Sequence, residues 1–106
     1  MSNISIIKTT AFAYCTSLTH VDLSNITEIG GSAFYGCTSL GTGETVEITH
    51  TATYMPHGTF WNTKYIGLIL HISNITSWDV RYPIWEGANE LRYLDVSDST
   101  ITTVGS

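Results

Sequence analysis

The sequence predicts a solenoid of about four stacked coils, each a short strand followed by a returning turn, and three observations carry that prediction. An octet recurs. Ala11-Phe12-Ala13-Tyr14-Cys15-Thr16-Ser17-Leu18 returns 22 residues later as Ala33-Phe34-Tyr35-Gly36-Cys37-Thr38-Ser39-Leu40. A Ser-Asn-Ile step followed by a hydroxyl residue occurs at Ser2-Asn3-Ile4-Ser5, Ser24-Asn25-Ile26-Thr27 and Ser73-Asn74-Ile75-Thr76. Apolar residues alternate in triplets, Val21-x-Leu23, Val46-x-Ile48, Leu70-x-Ile72 and Leu94-x-Val96, which start 25, 24 and 24 residues apart. Self-similarity at a period of two dozen residues marks a chain of stacked units.

Each element follows from its residues. In a triplet such as Val21-x-Leu23 both apolar side chains point to one face of a strand. One strand cannot bury that face alone. Copies stacked about 4.8 Å apart bond one another in parallel and bury it together. Ser24-Asn25 and Gly30-Gly31 supply the bends. Ile29 and Phe34 turn inward on the return path and close the core. The inward positions repeat as Ile7, Ile29, Tyr54, Trp78 and Val104, and as Phe12, Phe34, Phe60 and Trp85. The Ala-Phe-x-x-Cys step is too short for a full helix and predicts one turn of 3₁₀ or α. The third copy is irregular, with residues inserted at Gly41-Thr42-Gly43 and at Met55-Pro56-His57-Gly58.

These residues carry a resemblance. Ile29-Gly30-Gly31-Ser32-Ala33-Phe34-Tyr35-Gly36-Cys37-Thr38-Ser39-Leu40 resembles the BspA-like leucine-rich repeat. The match is close over residues 4–40 and 84–105, and rests on periodicity between 41 and 83. The resemblance implies a right-handed leucine-rich-repeat solenoid, an α/β-class fold of mostly short parallel β-strands, turns and short 3₁₀ or helical segments. It also implies surface or secreted proteins of host-associated bacteria and parasitic protists that adhere to host proteins or other cells. The cysteine of the motif is absent from the third copy and becomes Ala88 in the last. The proline that often follows the family's strand is Ser or Thr here.

Composition narrows the function. Charged residues are 12% of the chain and the net charge is −5. The only cations, Lys8, Lys64, Arg81 and Arg92, are scattered, so a phosphate backbone finds no basic cluster to displace its counterions. Nucleic-acid partners are excluded on that ground, and anionic membrane surfaces are disfavoured. The longest apolar run, Tyr65 to Leu70, is too short to span a bilayer. No charged n-region and apolar core mark a signal peptide at the N-terminus.

No catalytic constellation appears: no nucleophile elbow, no phosphate-cradling loop and no histidine pair at metal-ligand spacing. No cofactor or metal is expected, and His20, His50, His57 and His71 read as surface histidines. Cys15 and Cys37, in equivalent positions on stacked coils, stand nearer the strand spacing of ~4.8 Å than the ~3.8 Å between β-carbons of a disulfide. They read as a buried ladder of free thiols. Trp78 and Trp85 fall at core positions, whereas Trp61 and Tyr82 remain open candidates for stacking on a sugar. Asn3-Ile4-Ser5, Asn25-Ile26-Thr27 and Asn74-Ile75-Thr76 match the N-glycosylation pattern because the turn recurs.

The outward strand positions define the candidate site. Asp22, Glu47, His71 and Asp95 fall inside the triplets. His20, Thr45, Ile69 and Tyr93 precede them, with Thr19, Glu44, Leu68 and Arg92 beyond and Ser24, Thr49, Ser73 and Ser97 after. On a concave face, His20, Asp22, Glu44, Glu47, Ile69, His71, Arg92, Tyr93 and Asp95 form a partly acidic surface beside a hydroxyl ladder. It suits a cationic peptide, a carboxylate-bridged Ca²⁺ or a sugar. The expectation is one domain over residues 1–106, a segment of a longer repeat array. Its expected role is non-enzymatic recognition of a protein or glycan at the cell surface or outside the cell. The alternative is a structural spacer in a larger surface or tail-fibre protein. Both ends fall mid-repeat without a polar cap, which allows self-association through exposed strand edges.

Overall fold

The computed structural model describes residues 5–75 and 81–97. Among these residues five short strands, β1 (Ile6–Ile7), β2 (Glu28–Ile29), β3 (Thr45–His50), β4 (Gly67–Ile72) and β5 (Tyr93–Asp95), make two parallel sheets, β1-β2 and β3-β4-β5. All pairings are between consecutive passes of the chain, as stacking of repeats requires. Ile7 lies beside Ile29 in the smaller sheet, and both are buried.

The return path stacks as tightly as the strands. The N–H groups of Thr10, Phe12 and Tyr14 donate to the carbonyls of Gly31, Ala33 and Tyr35 at 2.7–3.1 Å. Those of Ser32, Phe34 and Gly36 donate to His57, Thr59 and Trp61 at 2.8–3.0 Å. This register lays Phe12, Phe34 and Phe60 in one ladder, with ring centroids 5.5 and 5.9 Å apart and planes 5° and 9° from parallel. Phe34, at its centre, is fully buried, worth about 2–3 kcal/mol of apolar transfer. Trp85 extends the series half-buried against the core.

The Ala-Phe-x-x-Cys step forms turns, and no helix occurs among the described residues. Cys15, Cys37, Thr63 and Ala88 each donate N–H to the carbonyl three residues back, on Phe12, Phe34, Phe60 and Trp85. Helix cannot propagate between, because Tyr14, Asn62, Gly36 and Gly87 take φ of 63–76°. The cysteine position of the third copy is thus Thr63, buried, with its hydroxyl donating to the Phe60 carbonyl at 2.9 Å.

Several sequence expectations need correction. The strand register pairs Val46 with Leu68 and Leu68 with Leu94, so the third triplet starts at 68 rather than 70. Leu68, Leu70 and Ile72 all point to the core, and a slip of two residues preserves the face. Leu68 therefore does not face outward. Tyr54 does not turn inward. It is 42% exposed, while Met55 beside it is buried. Cys37 is buried and Cys15 exposed, both as free thiols, so the ladder is only half inside. The Cys37 thiol donates to the Phe12 carbonyl at 3.0 Å, and burial raises its pKa. Residues 21–23 form no strand. Trp78, Val104, Asn3 and Thr76 lie outside the described residues.

Candidate functional site

The outward face of β3-β4-β5 is built by alternation. Val46, Ile48, Leu68 and Leu70 point inward, so Thr45, Glu47, Thr49, Ile69 and His71 point away. The observed register sets three rows: Thr45-Gly67-Tyr93, Glu47-Ile69-Asp95 and Thr49-His71. Glu47 therefore does not lie in one row with His71, and Ile69 does not lie in one row with Thr45. The histidine still meets the acid diagonally, with His71 Nε2 2.6 Å from Glu47 Oε2. Ile69 separates Glu47 from Asp95. Gly67 leaves a gap that the Tyr93 ring fills, so the Tyr93 hydroxyl reaches across the middle strand to hydrogen-bond Thr45 Oγ1. A Cβ at position 67 would collide with that ring.

The two aspartates hold turns. Asp22 Oδ1 accepts the Ser24 N–H at 3.0 Å, and Asp95 Oδ1 accepts the Ser97 N–H at 2.9 Å and its hydroxyl at 2.6 Å. Those bonds to the ionised form lower both carboxyl pKa values, through the Ser24 N–H first at Asp22 and the Ser97 hydroxyl first at Asp95. Both remain in the surface that the sequence predicted, but one oxygen of each is committed locally.

Residues 20–24 run alongside β3 without joining it. The Gly41 N–H bonds the Thr19 carbonyl at 3.1 Å, and the Thr51 N–H bonds the Thr27 carbonyl at 2.8 Å. Between these two ties the first segment has two residues fewer than the second. Among the described residues no backbone hydrogen bond joins 20–26 to 42–50. A cleft of about 370 Å³ opens there, lined by His20, Val21, Asp22, Leu23, Ser24, Glu44, Thr45, Val46, Glu47, Thr49 and Tyr65. His20 Nδ1 spans it to Glu44 Oε1 at 3.3 Å. The structure thus brings His20, Asp22, Glu44 and Glu47 around one opening. Ile69, His71, Tyr93 and Asp95 lie farther along the same face, and Arg92 is exposed beside Tyr93.

His50 departs from the surface reading altogether. It ends β3 pointing inward and is fully buried. The Ile29 N–H donates to its Nδ1 at 3.1 Å, so that nitrogen is bare. Nε2 then carries the proton and donates to the Tyr54 carbonyl at 2.8 Å. Burial lowers its pKa, opposed by the Tyr54 bond and the Glu28 charge. The alternation of β3, extended one step past Thr49, is the signal that would have found it. The Tyr54 hydroxyl donates to Glu28 at 3.0 Å, and burial followed by that bond pushes its pKa up to about 12. The fourth histidine, His57, sits 2.6 Å from Glu86 Oε1. Trp61 packs half-buried over Gly87 and stacks on Tyr35, 5.4 Å between centroids. Exposed Tyr82 meets the His57 ring edge-on, with the Arg81 guanidinium 5.2 Å from its centre. No group of three or more His, Cys, Asp or Glu among the described residues is arranged to hold a metal ion.

A family model described as a BspA type leucine-rich repeat region matches residues 1–105 in six copies. Neither curated proteins nor solved structures gave a match.

Proposed function

The chain belongs to the BspA-type leucine-rich repeat family, and from that premise we propose that it is a non-enzymatic recognition module acting through its outward strand face. In this reading the repeats form a right-handed solenoid of about four coils, part of a longer array on a surface or secreted protein, and the partner is a protein or glycan. Repeat folds of this kind present a wide surface rather than a catalytic pocket. The observation that carries the reading is the make-up of that face. Glu47, Ile69, His71, Tyr93 and Asp95 stand together on hydrogen-bonded parallel strands whose other side is core. An exposed tyrosine beside carboxylates and an isoleucine is the mixture recognition surfaces use, aromatic area with a polar surround.

Probing immobilised matrix proteins and glycans with the protein tests this, followed by Asp22→Ala, Glu47→Ala and Tyr93→Ala with thermal melts as folding controls. Loss of binding in at least one folded variant is expected. Unchanged binding in all three sinks the strand-face assignment. One set of observations favours a spacer instead. Asp22 and Asp95 spend hydrogen bonds on their own turns, and His20, His57 and His71 all pair with glutamates of a neighbouring repeat. A spacer binds nothing in the same screen.

A further inference from the structure

The cleft between residues 20–24 and β3 has features the rest of the strand face lacks. Among the described residues β3 has no ladder partner on its other flank, where residues 20–24 lie alongside without a backbone bond to it. Unpaired strand edges are templates for an added extended segment. The cleft is closed at both ends by the Thr19–Gly41 and Thr27–Thr51 ties, so it has a defined length. Val21, Leu23, Val46 and Tyr65 contribute apolar surface, and Leu23, Val46 and Tyr65 are buried. Asp22, Glu44 and Glu47 contribute carboxylates, and no lysine or arginine lines the opening. The histidines do not saturate these acids. His20 meets one oxygen of Glu44, His71 one oxygen of Glu47, and the Ser24 N–H one oxygen of Asp22. An ionised carboxylate has about four acceptor sites.

A long apolar stem with a charged head matches this lining. Such side chains lay their methylenes on apolar surface and carry the charge to polar groups beyond. We propose that the cleft receives one cationic side chain, arginine or lysine, presented by an extended segment of a partner protein. The proposal rests on the recognition reading above and narrows it to a place and a chemistry. Charge complementarity decides against an acidic or neutral segment. The volume, about 370 Å³, is at the small end of the ordinary range of ligand sites, with room for a long side chain and its flanking backbone but not for a folded surface.

The test uses a capped five-residue peptide with a central arginine, and the same peptide with uncharged citrulline in its place. Both are titrated into the protein while backbone amide shifts are followed. The arginine peptide is expected to shift amides of residues 20–24 and 44–49 and to bind at least tenfold more tightly than the citrulline peptide. Asp22→Asn keeps an acceptor for the Ser24 N–H, so it tests the charge without removing the turn, and Glu47→Gln does the same on β3. Each is expected to weaken the arginine peptide severalfold. Equal binding of both peptides, shifts confined to other regions, or indifference to both variants overturns the proposal. So does the finding that Ca²⁺ alone shifts the same amides while neither peptide does. If the peptide fails but partner binding still falls in Tyr93→Ala, the cleft assignment falls and the recognition reading stands.

Discussion

His50 shows how much one side chain decides. Its neutral imidazole joins three parts of the chain: β3, the Ile29 N–H of β2, and the Tyr54 carbonyl that follows β3. Protonating Nδ1 would break the bond from Ile29 and leave a cation in the core, which is why burial lowers its pKa. The groups facing it are Glu28 from β2, whose charge works the other way, and Tyr54. With a folded-state pKa below the unfolded value of about 6.5, the unfolded chain binds the extra proton first. Stability is therefore expected to fall as pH drops below about 6.5, and to level off once the folded imidazole titrates as well. Urea melts from pH 7.5 to 5 on the wild type and on His50→Gln check this, since glutamine keeps an acceptor and a donor but no charge. The wild type should lose more stability across that range; parallel curves would show that His50 does not set the acid response.

Every strand among the described residues pairs, but the segment beside β3 does not. β4 lies between β3 and β5 with partners on both sides. Residues 20–24 occupy the next place beyond β3 and make no backbone bond to it. Local opening costs least where backbone bonds and buried contacts are few. In native-state hydrogen exchange the amides of Val21 and Asp22 are expected to exchange orders of magnitude faster than those of Leu68 to Leu70. Comparable protection in the two sets would mean that 20–24 pairs with β3 in solution, closing the cleft. The cause is visible in the glycine-flanked insertion. Gly41-Thr42-Gly43 turns tightly, with the Glu44 N–H on the Gly41 carbonyl at 2.8 Å, and feeds two extra residues into the span that ends at Thr51.

At the scale of the whole molecule, stability comes from stacking of like on like. Phe12, Phe34 and Phe60 occupy one column, but only the central ring is covered on both faces by phenyl rings, and Phe12 is 38% exposed. Replacing Phe34 with alanine should cost about 3–5 kcal/mol, as for other fully buried aromatics. Phe12→Ala should cost less than half as much, and urea denaturation of the two variants measures the difference. Equal losses would show that the column is not the centre of the core. The sequence by itself determined the repeat, the family, the inward positions Ile7, Ile29, Phe34 and Phe60, the acidic outward surface and the lack of basic clusters. It did so because recurrence and period-two alternation survive in any single chain that stacks its own copies. It did not determine the register of β4, because alternation is blind to a slip of two. Nor did it show that Tyr93 crosses Gly67 to reach Thr45, that Cys15 is exposed while Cys37 is buried, or that residues 20–24 stand apart from β3. Those depend on where inserted residues are absorbed between hydrogen-bonded ties and on which repeat covers which. That choice is made by pairing between segments more than 20 residues apart, which the tertiary structure alone decides.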